Sequence, residues 1–408
     1  MIGKRIGKEM AFMAQLIDDV SEMEPMLPEE NSRELDDLAF DLIARANSLA
    51  SQLHPIVIRS IGNLVRSMNC YYSNFIEGHN THPKDIDAAL QQNFSKQPER
   101  RKLQIEAVAH ITVQESIDNG TDNQSSPLTS TYARWLHYEF CRRLPEELLS
   151  VEEPTTHREV KVVPGELRDG EVQVGDHLAP EAAALPHFLR RFDEAYDPKN
   201  LSKVRQIVAV AAAHHRFVWI HPFYDGNGRV VRLMAHAMLS RLGLGNSLWS
   251  VARGLARSVT QYKALLAEAD HPRRSDLDGR GVLSQRALIK FCQFFLTTCV
   301  DQINYMQSLL EPSELLKRIE RYTQDEIDAK RLPKGSFELL REALLSGEYE
   351  RGKAAAITGS GERTARDVLS ALAHQKLLIS DTPKTAVRLG FPLNVVERWF
   401  PLLYPATL

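Results

Sequence analysis

Between two stretches of helical hydrophobic spacing lies the run His221-Pro222-Phe223-Tyr224-Asp225-Gly226-Asn227-Gly228-Arg229-Val230-Val231-Arg232. Ser202–Trp219 reads as one helix and Arg229–Leu242 as the next, so His221–Gly228 forms the connection between them. A chain punctuated this way starts a helix just behind two glycines. The start of a helix exposes unpaired backbone N–H groups and carries partial positive charge. Glycines at that point let the backbone approach an anion closely. Arg229 and Arg232 are three apart and share a face of the second helix. The expectation is an anion pocket sized for several phosphates.

The same run supplies reactive groups. His221 has an ordinary pKa near neutrality and can accept a proton from an attacking hydroxyl. Asp225 offers a hard oxygen ligand beside the phosphates, where Mg²⁺ is commonly held by one or two carboxylates plus phosphate oxygens. The Asn227 side-chain amide can donate to an anion. Pro222 and Phe223 stiffen and anchor the loop. The chemistry such a set suits is positioning and charge stabilisation during attack on a phosphate.

The 408 residues allow two or three domains, and 43% hydrophobic with 25% charged residues is enough to fill a core. Fifty basic residues against 53 acidic ones give no global pull toward nucleic acid. Cys70, Cys141, Cys292 and Cys299 are far apart without CxxC pairing, which argues against a disulfide framework or a zinc site and for buried thiols in a reducing cytoplasm. The N-terminal stretch lacks a long apolar run, and Ile207–Ala213 is too short to span a bilayer. A cytoplasmic protein without membrane contact is therefore expected.

Helical spacing dominates the first ~115 residues, as in Leu35, Leu38, Ala39, Leu42, Ile43 and Ala46. A polar loop follows at Asp118–Pro127, then a helix at Ser130–Leu144. Arg158–Val163 and Gly170–Gly175 alternate around Pro164-Gly165 and are predicted to pair as one β-hairpin. Helices resume from Pro180 and include Leu283–Val300. Asp276–Gly281 lacks the ligands of a calcium loop and reads as a tight turn. His214 and His215 read as structural. Near the C-terminus, helices at Phe337–Leu345, Lys353–Gly359 and Glu362–Gln375 precede short strands at Leu377–Ile379 and Ala386–Leu389. That order suggests a winged helix-turn-helix. Its basic residues Arg351, Lys353, Arg363, Arg366 and Lys376 could meet phosphates, although Glu348, Glu350, Glu362 and Asp367 dilute them. Farther upstream, Ser73 and Glu77 are four apart on a helical pattern that Gly78 would end.

Residues 221–232 resemble the Fic family signature, HPFx(D/E)GNGRxxR, at every specified position. The resemblance implies a mainly α fold: a Fic-type helical core with a β-hairpin flap, followed here by the small winged helix-turn-helix domain. It divides the chain into an N-terminal helical region at 1–125, a catalytic core at 126–315 and a C-terminal domain at 316–408. It implies transfer of AMP from ATP to a Ser, Thr or Tyr hydroxyl of a protein, with release of pyrophosphate. His221 would be the base and Asp225 would position Mg²⁺. Phe223, Gly226, Asn227, Gly228, Arg229 and Arg232 would surround the nucleotide. The hairpin near Val160–Val174 would be the flap that aligns the target by strand addition, and a homodimer is expected from the resemblance alone. The Doc branch of the family, which phosphorylates, carries lysine where this chain has Gly228. Ser73–Gly78 resembles the family's inhibitory pattern, (S/T)xxxE(G/N), in which Ser73, Glu77 and Gly78 would place the glutamate on Arg232. Alternatives are a Fic enzyme that transfers another nucleotide or removes AMP, and a DNA-binding regulator whose core only senses nucleotide.

Overall fold

The computed structural model describes residues 17–29, 32–152, 159–245 and 247–404. Among them the chain is mainly helical, with sixteen α-helices and seven short strands. In order these are α1 (Arg33–Ala50), α2 (Pro55–Ile76), α3 (Pro83–Leu90), α4 (Pro98–Asp118) and α5 (Ser130–Cys141), then β1 (Ser150–Glu152), β2 (Glu159–Lys161), β3 (Gln173–Val174) and β4 (His177–Leu178). Next come α6 (Leu185–Ala195), α7 (Lys203–Ile220), α8 (Asn227–Arg241), α9 (Val251–Arg257), α10 (Val259–Ala269), α11 (Gln285–Leu310), α12 (Pro312–Asp328) and α13 (Ser336–Ser346). The C-terminal part holds β5 (Glu348–Tyr349), α14 (Ala354–Thr358), α15 (Glu362–His374), β6 (Leu378–Ile379), β7 (Val387–Leu389) and α16 (Leu393–Trp399). No described helix is long and apolar enough to cross a membrane.

Two helices fix the position of the motif. α7 starts at Ser202, whose Oγ accepts the Arg205 N–H at 3.2 Å, an N-cap that satisfies one of the helix's unpaired donors. Its apolar residues run right around the cylinder, and Ile207–Ala213 are all buried. A helix hydrophobic on every side belongs in a core, and α7 packs between α1, α6, α8 and α11. The following helix, α8, is itself buried along most of its length and is flanked by α4 and α5. α11 crosses beneath, against α1, α7, α9 and α10, with Cys292 and Cys299 fully buried along it. All four cysteines are free and buried, and burial pushes the Cys292 thiol up to about 12, as expected of inert packing groups.

α2 also packs against α8. It opens with Pro55 in its first turn and with the His54 ring accepting the Ile56 N–H. It ends where Gly78 turns left-handed at φ 86°, a conformation only glycine takes at no cost. Asp276–Gly281 is a turn ahead of α11: Asp278 accepts from the Ser284 hydroxyl at 2.7 Å and from the Arg286 N–H at 2.8 Å.

The single hairpin expected at Val160–Val174 does not form. β2 pairs antiparallel with β1, aligning Val160 with Val151, and β3 pairs with β4, aligning Val174 with His177. The two alternating runs therefore belong to two separate hairpins; Arg158, at the start of the first run, lies outside the described residues. The reason is the Pro164-Gly165 segment. Instead of reversing the chain for pairing, it docks on α5: the Gly165 N–H donates to His137 Nδ1 at 2.9 Å and the Gly165 carbonyl accepts from Arg134 Nε at 2.9 Å.

In the C-terminal part, α13, α14 and α15 pack together beside a three-stranded antiparallel sheet in the order β5-β7-β6. The pairing of Leu378 with Leu389 joins the two short strands read from the sequence. β5 was not expected, because two residues carry no alternation.

Candidate active site

His221 caps the C-terminus of α7 in a left-handed conformation, φ 48° and ψ 60°. This turns its side chain off the helix axis and toward a cleft of about 460 Å³. Its Nδ1 stands 3.3 Å from the Val218 carbonyl. A carbonyl only accepts, so Nδ1 carries the proton and Nε2 keeps its lone pair. Burial pushes the His221 pKa down to about 4, partly offset by the Val218 contact, so the ring is neutral at pH 7.

Opposite the histidine, α8 begins at Gly226 with φ 80°, and the first turn, Asn227–Arg229, faces the cleft. The amides of that turn have no intrahelical acceptor. Asp225 is exposed at the rim, 3.7 Å from Arg229 Nη1. It is an open carboxylate beside an anion pocket, which fits an Mg²⁺ ion that takes its other ligands from phosphate and water. The described residues hold no cluster of three or more His, Cys, Asp or Glu that could bind a metal without a substrate.

Asn227 has a role beyond the one expected: its Oδ1 accepts the Phe223 N–H at 3.0 Å and its Nδ2 donates to the Phe223 carbonyl at 2.8 Å. Both contacts are buried, so Asn227 clamps the loop, with one of the two Nδ2 hydrogens engaged in doing so. Phe223, by contrast, is not on the cleft wall. It is 1% exposed, and its ring stacks on His137 at 3.9 Å and 3°. Replacing Asn227 by alanine strands a buried donor and a buried acceptor, and each such group costs about 1–3 kcal/mol. Denaturant unfolding of Asn227→Ala is expected to show a loss of that order, and Asn227→Asp a similar one, since a carboxylate cannot donate to the Phe223 carbonyl.

Ser73 and Glu77 meet Arg232 across the α2–α8 contact. Arg232 Nε donates to Ser73 Oγ at 2.9 Å and Nη2 donates to Glu77 Oε1 at 2.6 Å. Arg232 is 4% exposed, whereas a third of the Glu77 side chain remains open to the cleft. Burial raises the Glu77 pKa, but Arg232, then Arg229 and Lys263, outweigh it and hold the carboxyl below its ordinary value. Oε1 lies so close over Gly228 that a Cβ there would run into it. The carboxylate thus covers the first turn of α8.

Several residues that complete the site carry no local mark in the sequence. Glu106 on α4 accepts from Arg229 Nη2 at 3.1 Å and from His79 Nδ1 at 2.8 Å, and Arg229 also lies 5.2 Å over the Phe140 ring. These contacts aim Arg229 before any ligand arrives. The His79 contact raises that histidine's pKa. His137 stacks on Phe223 and Arg168 holds the His221 carbonyl, so both support the loop between α7 and α8. None could be read locally, because each meets the motif through a fold contact between distant segments. His214 and His215 are structural: their rings bind the Tyr262 hydroxyl at 2.7 Å and the Leu266 carbonyl at 3.0 Å.

The far wall of the cleft comes from both hairpins, with Val151 and Val160 from one and Gln173 and Val174 from the other.

Residues 123–239 match the Fic/DOC family. Over 79 residues the chain is 38% identical to Protein adenylyltransferase Fic of Drosophila erecta and to that of Drosophila melanogaster, which covers 19% of this chain and 16% of each of those proteins. The fold is similar to that of a Fic family protein from Desulfovibrio desulfuricans G20, with a TM-score of 0.50 and 19% identity over 90% of this chain and 98% of that one. It is also similar to a fragment of Fic-1 from C. elegans, with a TM-score of 0.50 and 16% identity over 68% and 73% of the two chains.

Proposed function

We propose that this chain, a Fic family protein whose domain spans residues 123–239, transfers AMP from ATP to a hydroxyl of a protein target and of itself. The observation that carries the reading is the neutral His221, with Nδ1 tied to Val218 and Nε2 free, facing the first turn of α8 across one cleft. Nε2 takes the proton of the target hydroxyl as its oxygen attacks the α-phosphorus. The new O–P bond forms, the bond to the β-phosphate oxygen breaks, and pyrophosphate leaves. Backbone amides at Gly226–Gly228 and the Arg229 guanidinium hold phosphate charge throughout. Mg²⁺ on Asp225 would neutralise charge on the phosphates and fix their orientation.

In this reading Arg232 is the place for the terminal phosphate, and Glu77 claims it first. ATP that enters while Glu77 holds Arg232 has its α-phosphate out of line for attack. The enzyme is thus held in check by its own α2. The glycine at 228 favours nucleotidyl over phosphoryl transfer. The cleft-lining strands of the two hairpins replace the single flap as the edge along which a target segment would align.

The C-terminal region from residue 316 is read as a winged helix-turn-helix, on the strength of α13, α14 and α15 beside the β5-β7-β6 sheet. Glu362 and Asp367 are exposed beside Arg363 and Arg366 on α15, so no basic stripe favours DNA as its partner. The test of the function is to incubate the protein, Glu77→Gly and His221→Ala with each labelled nucleoside triphosphate. Labelling from ATP above the other three, strongest in Glu77→Gly and lost in His221→Ala, is the expected pattern. Labelling that persists in His221→Ala contradicts it.

A further inference from the structure

We infer that Arg168 is a positioning residue for His221, tying the backbone of the base to the β3–β4 hairpin, one of the two that would receive the target. The inference rests on the transfer reading above. Arg168 lies between β2 and β3, and its side chain is completely buried. Nε donates to the His221 carbonyl at 2.8 Å and Nη1 to the Gly170 carbonyl at 2.8 Å. Nη2 donates to the Pro180 carbonyl at 2.5 Å, with the Ile220 carbonyl at 3.4 Å. Its own backbone N–H donates to the Pro222 carbonyl at 3.0 Å.

The nearest carboxylate, Glu171, is 4.0 Å away, so this buried cation is held almost wholly by carbonyl oxygens. Two of them, from Ile220 and His221, end α7, where the helix dipole favours positive charge. The two others, from Gly170 and Pro180, bracket the β3–β4 hairpin. A planar guanidinium can donate in all these directions at once, whereas an ammonium cannot match that spread. His221 needs such support because a residue with a Cβ holds a left-handed backbone only when its surroundings impose it. If the carbonyl of His221 loses its donor, the ring swings relative to the first turn of α8, and misplacement of about 1 Å can cost on the order of 100-fold in rate.

Arg168→Lys and Arg168→Met in the Glu77→Gly background test this. Arg168→Met is expected to lower kcat by about 10- to 100-fold with the KM for ATP unchanged, because the anion site on α8 is untouched; Arg168→Lys recovers part of the loss. A merely structural role would instead lower kcat and the ATP-binding fraction in parallel, and that outcome, like an unchanged kcat, overturns the inference. Spectra of nitrogen-15-labelled histidine decide the point without activity. The His221 signal of an Nδ1-protonated, Nε2-free ring is expected in the parent and averaged between tautomers in Arg168→Met; an identical signal in both overturns the inference. Absence of AMP transfer in Glu77→Gly with Arg168 intact speaks against the transfer reading alone.

Independently, the geometry points to the C-terminal segment as the seat of the inhibitory helix. Tyr72, next to Ser73 on α2, donates its hydroxyl to the buried Leu403 carbonyl at 3.1 Å. Tyr404 meets the Tyr71 ring edge-on at 5.6 Å. The segment is fixed in turn by the core: Arg253 Nη2 donates to the Leu402 carbonyl at 2.9 Å and the Tyr305 hydroxyl to the Pro401 carbonyl at 3.1 Å. None of these residues lines the cleft. In the full chain, Tyr72→Phe and Tyr404→Ala are expected to raise auto-labelling severalfold and to add nothing to Glu77→Gly. Labelling unchanged in both single variants, or gains that multiply with Glu77→Gly, overturns this seat; a Glu77→Gly protein that shows no labelling at all counts against the transfer reading instead.

Discussion

In the Glu77→Gly background, His221→Ala is expected to transfer AMP about 10²- to 10⁴-fold more slowly, the usual contribution of a positioned general base. The effect is large because no neighbour can take over. His177 has its Nε2 engaged by the Trp219 carbonyl at 2.7 Å, His137 is buried against the Phe223 ring with its Nδ1 taken by the Gly165 N–H, and Asp225 is drawn toward Arg229. ATP binding in the variant is expected to persist, since the phosphate-facing groups of α8 stay in place. Equilibrium binding of ATP beside initial-rate labelling separates the two. A variant that loses both together would mean the loop had collapsed, whereas a loss of rate alone identifies the base.

Glu77→Gly is expected to raise auto-labelling by about 10- to 100-fold. A hydrogen bond to a charged group contributes about 1.5–3 kcal/mol, and 1.4 kcal/mol is a factor of ten. The same substitution frees Arg232 and clears the space above Gly228 that the carboxylate now fills. The pH dependence has a definite sign. Arg232 holds the Glu77 carboxyl below its ordinary value against the effect of burial. The inhibitory contact is therefore complete through the neutral range and weakens only as pH falls through that lowered pKa. Labelling by the parent protein should not rise between pH 6 and 8 on account of Glu77. Rates for the parent and Glu77→Gly, compared across that interval, keep a constant ratio if Glu77 is the group concerned.

The helical fold, the loop between α7 and α8 and the Ser73–Glu77 contact with Arg232 were legible in the sequence. The first two depend on local spacing, helix periodicity and glycines at a helix start; spacing put Ser73 and Glu77 on one face, but their pairing with Arg232 was implied only by the resemblance to the Fic inhibitory pattern. The hairpins were not, because alternation at Val160–Val163 and Val172–Val174 reveals strand character but not the partner. Pro164-Gly165 reads as a turn, yet its backbone finds better partners in His137 and Arg134 on α5. The clamping role of Asn227 was not legible for a related reason. Its amide could serve an anion or its own loop, and only the fold reveals that the Phe223 backbone is buried there and needs both a donor and an acceptor. Glu106, His137 and Arg168 left no local trace, since an isolated glutamate, histidine or arginine is common on any helix or loop.

The most direct measurement is incubation of the Glu77→Gly protein with ATP labelled at the α-phosphate in one sample and at the γ-phosphate in the other. Retention of the α-label on protein, with none of the γ-label, is the predicted result. Retention of the γ-label would mean phosphoryl transfer, and retention of neither would mean that the site binds nucleotide without transferring it; either contradicts the account.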